Sequence, residues 1–213
     1  MSDVAIEITN VTKRFRDVYA LNNVTISFES GTIHGIIGRN GSGKTVLFKC
    51  ICGFMAPDSG EIRVRGKLIS PRSMIESAGV IVENPRFLPA VNGYRNLQLL
   101  AGINKKATAE RIRQTILTVG LDPYSKKHVG KYSMGMRQRL GIAQAIMEDP
   151  DIIILDEPMN GLDKSGVNDV RKLLLSLKKQ GKTILIASHN SEDINVLCDT
   201  VCEMDAGILT RIR

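Results

Sequence analysis

Eight consecutive residues, Gly38-Arg39-Asn40-Gly41-Ser42-Gly43-Lys44-Thr45, read G-x-x-x-x-G-K-T. Glycines at these positions let successive backbone N–H groups converge without a Cβ in the way, and they form a nest for phosphate oxygens. Lys44 would reach the β- and γ-phosphates of a nucleotide, and the Thr45 hydroxyl would ligate Mg²⁺. Gly38, Asn40, Gly41, Ser42, Gly43, Lys44 and Thr45 are therefore candidate nucleotide-binding residues. An incidental glycine-rich turn is the competing reading. The apolar run before the loop and the helical spacing after it make that reading rare, because strand, turn and helix in this order are what a phosphate loop requires.

A second cluster is Ile152-Ile153-Ile154-Leu155-Asp156-Glu157. An apolar strand delivering a carboxylate at its C-terminal end is how an α/β sheet holds a metal beside bound phosphates. Asp156 is the candidate metal ligand, and Glu157 the candidate base that polarises the attacking water. Taken alone the pair could equally be a polar strand ending; a phosphate loop upstream favours the chemical reading.

These groups need a parallel sheet beneath them. Ile33 to Ile37 reads as a buried strand entering the loop, and Val46 to Ile51 as the helix leaving it, with a break at Gly53. Val4, Ile6 and Ile8, then Val24, Ile26 and Phe28, alternate with polar residues as half-buried antiparallel strands do. Pro57 to Gly60 reads as a turn, Glu61 to Gly66 as a short strand, and Gly79 to Val82 as a further central strand. Helical spacing then covers Asn92 to Ala101, Thr108 to Val119 and Gly135 to Met147, with a helix start at Thr108 and an end at Gly120. Strand and helix alternate again: Asp151 to Leu155, Lys164 to Lys179, Lys182 to Ala187 and Asp193 to Cys198. A short antiparallel ending follows, near Val201 to Glu203 and Ile208 to Ile212. The whole reads as a parallel α/β core interrupted by a helical insert.

Composition narrows the classes. The 213 residues are 43% hydrophobic and 24% charged, as in an ordinary globular domain. Trp is absent and aromatics are 4%, which leaves little material for stacking single-stranded nucleic acid. The net charge of +7 suits nucleic acid, an anionic membrane surface or polyphosphate equally. No apolar run reaches the ~18 residues of a membrane span, and Met1-Ser2-Asp3-Val4 does not open a signal peptide, so a cytosolic location is expected. Cys50-x-Cys52 and Cys198-x-x-x-Cys202 lack zinc or redox spacing and read as reduced, buried thiols, while His34, His128 and His189 are too scattered for a metal cluster.

Between the two nucleotide motifs lies Tyr132-Ser133-Met134-Gly135-Met136-Arg137-Gln138-Arg139-Leu140, and beyond them lie Asn160-Gly161-Leu162-Asp163 and Ala187-Ser188-His189. In order and spacing the set resembles the ATP-binding cassette (ABC) ATPases: their LSGGQ-x-x-R signature, D-loop and switch histidine. The resemblance covers nearly all of the chain. It implies a P-loop NTPase of α/β class with a mixed central sheet, an N-terminal antiparallel β subdomain and an inserted helical subdomain. Residues 1–84 and 151–213 would form the nucleotide-binding core of a single domain, and about 85–150 the helical part with the signature.

The resemblance further implies two cassettes packed head to tail, each ATP lying between one phosphate loop and the other signature. Ser133 and the N–H of Gly135 would grip the γ-phosphate across that joint, His189 would touch it from its own subunit, and Asp163 would link the two sites. Phe15 stands where the family stacks an aromatic on adenine, with Tyr19 the nearby alternative and a core role the other reading of Phe15. Glu83 occupies the place of the Q-loop glutamine as a candidate Mg²⁺ ligand, or else is a polar strand end. Met134 and Met136 replace a glycine and a glutamine of the signature. Glu83-x-Pro85 and the Tyr132-to-Leu140 pattern resemble the branch serving bacitracin resistance, lantibiotic immunity and related export. Implied cofactors are ATP and Mg²⁺. The implied partners are a membrane-spanning permease on a separate chain and a second ATPase subunit, with no nucleic acid, at the inner face of the cell membrane. The rivals are a non-transport cassette of DNA repair or translation, which usually carries paired cassettes or a coiled-coil insert, and a P-loop kinase, which lacks a signature.

Overall fold

Alternating residues at the N-terminus form a hairpin of β1 (Val4–Phe15) and β2 (Val18–Glu29). The computed structural model describes residues 3–213, so the leader reading at Met1 and Ser2 lies outside the described residues. Ile6 and Ile8 point inward, but Asn10 adopts φ 51 and shifts the register, so the next buried residue is Val11. Such a bulge switches the inward face from even to odd positions. Val4, expected inside, is exposed. β3 (Ile33–Ile37) enters the phosphate loop and α1 (Lys44–Cys52) leaves it, closed by Gly53 at φ 77. β4 (Ser59–Val64) and β5 (Lys67–Leu68) complete a four-stranded antiparallel sheet in the order β2-β1-β4-β5.

The second sheet adds β6 (Ala78–Ile81), β7 (Ile152–Asp156), β8 (Thr183–Ala187), β9 (Thr200–Asp205) and β10 (Ile208–Arg211). Its order is β10-β9-β3-β8-β7-β6, parallel throughout except for β10. Side chains alternate between its faces: Ile153, Leu155, Ile184 and Ile186 join one hydrophobic cluster, and Ile152, Ile154, Leu185 and Ala187 the other. This is why β7 and β8 read as unbroken apolar runs: each face is covered, one by helices and one by α1 and the antiparallel sheet. The strand at Gly79–Val82 is a correction. It is not central but the outer strand of the sheet, with Gly79 and Ile81 buried and Ala78 and Val80 half-buried. An apolar run reports burial, and here a helix of the insert packed on Gly79 and Ile81 supplies it on one face.

α2 (Gly93–Asn104), α3 (Ala109–Thr118) and α4 (Met134–Ile146) form the insert, capped at their N-termini by Asn92, Thr108 and Ser133. α4 lies tight against β6: a Cβ on Gly79 would fall 1.9 Å from the Ala145 carbonyl oxygen, so only glycine permits the approach. α5 (Lys164–Lys179) and α6 (Ser191–Leu197) cover the sheet beyond. One hydrophobic cluster runs unbroken from Leu97 and Ile112 in the insert to Ile153 and Ile186 in the sheet. All four cysteines are buried free thiols, and burial pushes Cys52 and Cys198 up to about 12. Among the described residues no helix is long and apolar enough to cross a membrane.

Candidate functional site

The phosphate loop is built on backbone that only glycine accepts. Gly43 has φ 118, and a Cβ there would lie 2.2 Å from the Ala20 carbonyl oxygen of β2. The hairpin therefore presses directly on the loop. Beyond β9, the Gly207 N–H donates to the Ser42 carbonyl at 3.0 Å, and the Gly207 carbonyl accepts from the Asn22 N–H at 2.8 Å, sewing loop to hairpin. Lys44 is 6% exposed, its ammonium turned inward to the carbonyls of Gly38 (2.7 Å) and Arg39 (3.1 Å). Ser42 Oγ is buried and makes no hydrogen bond.

Thr45 and Asp156, 111 residues apart, meet: Oγ1 of Thr45 donates to Oδ2 of Asp156 at 2.6 Å. Burial raises the Asp156 carboxyl, and the Thr45 hydrogen bond opposes that shift. Glu157, next in the chain, takes φ 50, a left-handed conformation that non-glycine residues rarely hold. Its N–H donates to the Ala187 carbonyl at 2.9 Å, and its Oε2 lies 2.8 Å from Nδ1 of His189. Oε1 of Glu157 is buried without a partner. α6, which follows His189, is anchored to α5 by the buried carboxylate of Asp193, gripped by two nitrogens of Arg171 at 2.9 and 2.6 Å.

These groups enclose a cavity of about 380 Å³. Of the candidates, Asn40, Gly41, Gly43, Lys44, Thr45, Glu83, Asp156 and Glu157 line its wall. Gly38 and Ser42 do not line it: the first accepts from Lys44 and the second is buried. His189 is reached through Glu157. Glu83, at φ 65, engages Lys49 at 2.5 Å, and that hydrogen bond holds its carboxyl below the usual range. The negative charge that glutamate brings to a glutamine position is thus matched by a cation one helical turn beyond Thr45. Five wall residues were not among the sequence candidates: Ala20, Val46, Asn84, Gln138 and Asn160. Gln138 sits in the signature run, and its inward aim depends on the phase of α4.

Ser133, Gly135 and Asp163 do not line the cavity. Ser133 caps α4, accepting from the Met136 N–H at 3.2 Å, and Asp163 caps α5, accepting from the Gly166 N–H at 2.9 Å. Met134 is 53% exposed and folds over Gly161, where an added Cβ would come within 2.5 Å of its Cγ. Phe15 and Tyr19 flank the hairpin tip, each 46% exposed, under Lys13 and Arg14 respectively. Phe15 is not a core aromatic.

Cavity, acidic turn and capped signature helix together define a nucleotide-binding cassette, and known proteins agree. The ABC transporter domain family matches residues 21–160. The ABC transporter ATP-binding protein YybJ of Bacillus subtilis (strain 168) is 45% identical, over 96% of this chain and 94% of its own. The bacitracin transport ATP-binding protein BcrA of Enterococcus faecalis is 36% identical, over 97% of this chain and 68% of its own. The bacterial ABC transporter cassette MJ0796, in its dimeric structure, superposes with a TM-score of 0.87 at 22% identity, covering 98% of this chain and 99% of that one. The chain belongs to the ABC transporter family, as an ATP-binding, ATP-hydrolysing subunit.

Proposed function

We propose that hydrolysis here is run by Glu157 as general base, with Thr45 and Asp156 holding Mg²⁺ and Lys44 the β- and γ-phosphates. The observation carrying this reading is the state of Glu157: the residue lines the cavity, its Oε2 is oriented by His189, and its Oε1 is buried without a partner. That oxygen would take the proton from water as its oxygen bonds to the γ-phosphorus and the bond to ADP breaks. Thr45 and Asp156 offer the hard oxygens that Mg²⁺ prefers, and two protein ligands suit an ion that shares substrate phosphates. When bound, Mg²⁺ supplies charge neutralisation on the phosphates. Glu83 holds Lys49 through Oε1, and its second carboxylate oxygen would be the one to join the ion or orient water. Ser42 Oγ, buried without a partner within the loop, would donate to a phosphate oxygen.

Ser133, Gly135 and Asp163 would act on the nucleotide of a second copy, since they lie outside the chain's own cavity. Phe15 would stack on adenine from the hairpin tip. We read residues 1–84 and 151–213 as the catalytic core and about 85–150 as the part that meets a separate membrane-spanning permease, at the inner face of the membrane. A groove of about 620 Å³ along the β6 edge, lined by Phe54, Met74, Leu100, Ile103 and Met147, supports that docking. By its likeness to BcrA, the cargo class would be a peptide antibiotic, exported. The central test is Glu157→Gln in a steady-state ATPase assay. A fall of about 10²-fold or more is expected, and near-normal turnover would remove Glu157 as the base. Co-purification with a membrane protein supports the transporter reading, and stable DNA or ribosome binding without one overturns it.

A further inference from the structure

Glu157 sits in a conformation that needs holding, and one of its restraints comes from the signature helix. Gln138, 5% exposed on the second turn of α4, directs Nε2 to the Pro158 carbonyl at 3.1 Å and more distantly to the Glu157 carbonyl at 3.4 Å. Both partners are acceptors, so the amide nitrogen must be the end that faces them. Two other contacts join the same elements. A Cβ on Gly135 would lie 2.8 Å from the Gly161 carbonyl oxygen, and Met134 lies over Gly161. The first two turns of α4 thus rest on the turn from Glu157 to Gly161.

We propose that Gln138 is a positioning residue that sets Glu157 for the attack on ATP and makes that setting depend on how α4 is seated. The inference rests on Glu157 being the base. A rigid helix moves as a unit. A ligand drawing on Ser133 at the first turn therefore displaces Gln138 five residues on, and with it the carbonyls at Glu157 and Pro158. Each chain would then register, at its own base, whether its signature is engaged by the nucleotide of a second copy. A bond to two backbone carbonyls suits this purpose because it acts on the backbone at Glu157 and Pro158 and makes no use of either carboxylate oxygen of Glu157.

Gln138→Met keeps the volume and removes the donor, and Gln138→Glu sets an acceptor against two acceptors. With purified full chain and MgATP, kcat should fall about 10- to 100-fold in Gln138→Met and further in Gln138→Glu, as a displaced catalytic group costs. KM and the affinity for a fluorescent ATP analogue should stay within about threefold, because the interaction serves the transition state more than ground-state binding. Wild-type kcat in Gln138→Met overturns the proposal. So does a loss in which kcat, nucleotide affinity and melting temperature fall together, which marks a merely structural role. Glu157→Gln run alongside separates the two claims: if it retains activity, the assignment of the base fails, and if it is dead while Gln138→Met is normal, only the positioning role fails.

Discussion

The phosphate cavity and the signature are made of similar parts, glycines at a helix N-terminus beside a hydroxyl, yet they face opposite circumstances. Around the cavity almost every polar group is engaged within the chain: Lys44 with two carbonyls, Thr45 with Asp156, Glu157 with His189. At the signature Ser133 caps its own helix and otherwise lies exposed, as does Met134. One end is prearranged and the other is presented. On the reading proposed above, the first would grip the chain's own nucleotide and the second would complete the site of another copy, which is what pairing of two copies would require.

Three variants probe the contrast. The largest effect is expected at Gly43→Ala, where the new Cβ meets backbone and the φ of 118 is unfavourable to any side chain. It should cost on the order of 3 kcal/mol of stability and abolish nucleotide binding, read by thermal melting and titration of a fluorescent ATP analogue. A variant that melts and binds normally would mean the hairpin does not set the loop. Ser133→Ala should remove a helix cap worth about 1 kcal/mol and depress steady-state ATPase while leaving ATP affinity of the isolated chain intact. If affinity is lost as well, the signature belongs to the chain's own pocket and the contrast fails.

The smallest effect is expected at Lys49→Met. The Glu83 carboxyl is held low first by its hydrogen bond to Lys49, so its charged form favours the folded state. That contribution is present above the ordinary carboxylate pKa and is lost as pH falls through the lowered one. Melting temperatures taken from about pH 5 down to pH 3 should therefore drop less steeply in the variant. Parallel slopes would show that Glu83 does not depend on Lys49.

Much of this architecture was legible beforehand. The span of α5, Lys164–Lys179, agrees with its helical periodicity, and β7 and β8 agree with their apolar runs to within a residue at each end. The misplaced strand, Ala78–Ile81, carried no signal separating a middle strand from an edge strand packed against a helix. Gln138 was hidden for a related reason. Gln beside two arginines reads as a solvated face, and only the seating of α4 on the Glu157 turn buries it. The Lys49–Glu83 pair joins residues 34 apart through a left-handed backbone at Glu83 that no local pattern announces.

By itself the sequence determined which residues could handle phosphate, because glycine, lysine and hydroxyl spacing act through local backbone geometry, and it determined which strands and helices carry them, because periodicity is local too. Only the tertiary structure decided which groups meet. Thr45 reaches Asp156, His189 orients Glu157 and Gln138 holds the turn between them because sheet order and the angle of α4 bring distant segments within hydrogen-bond range. Those distances depend on packing of the whole core.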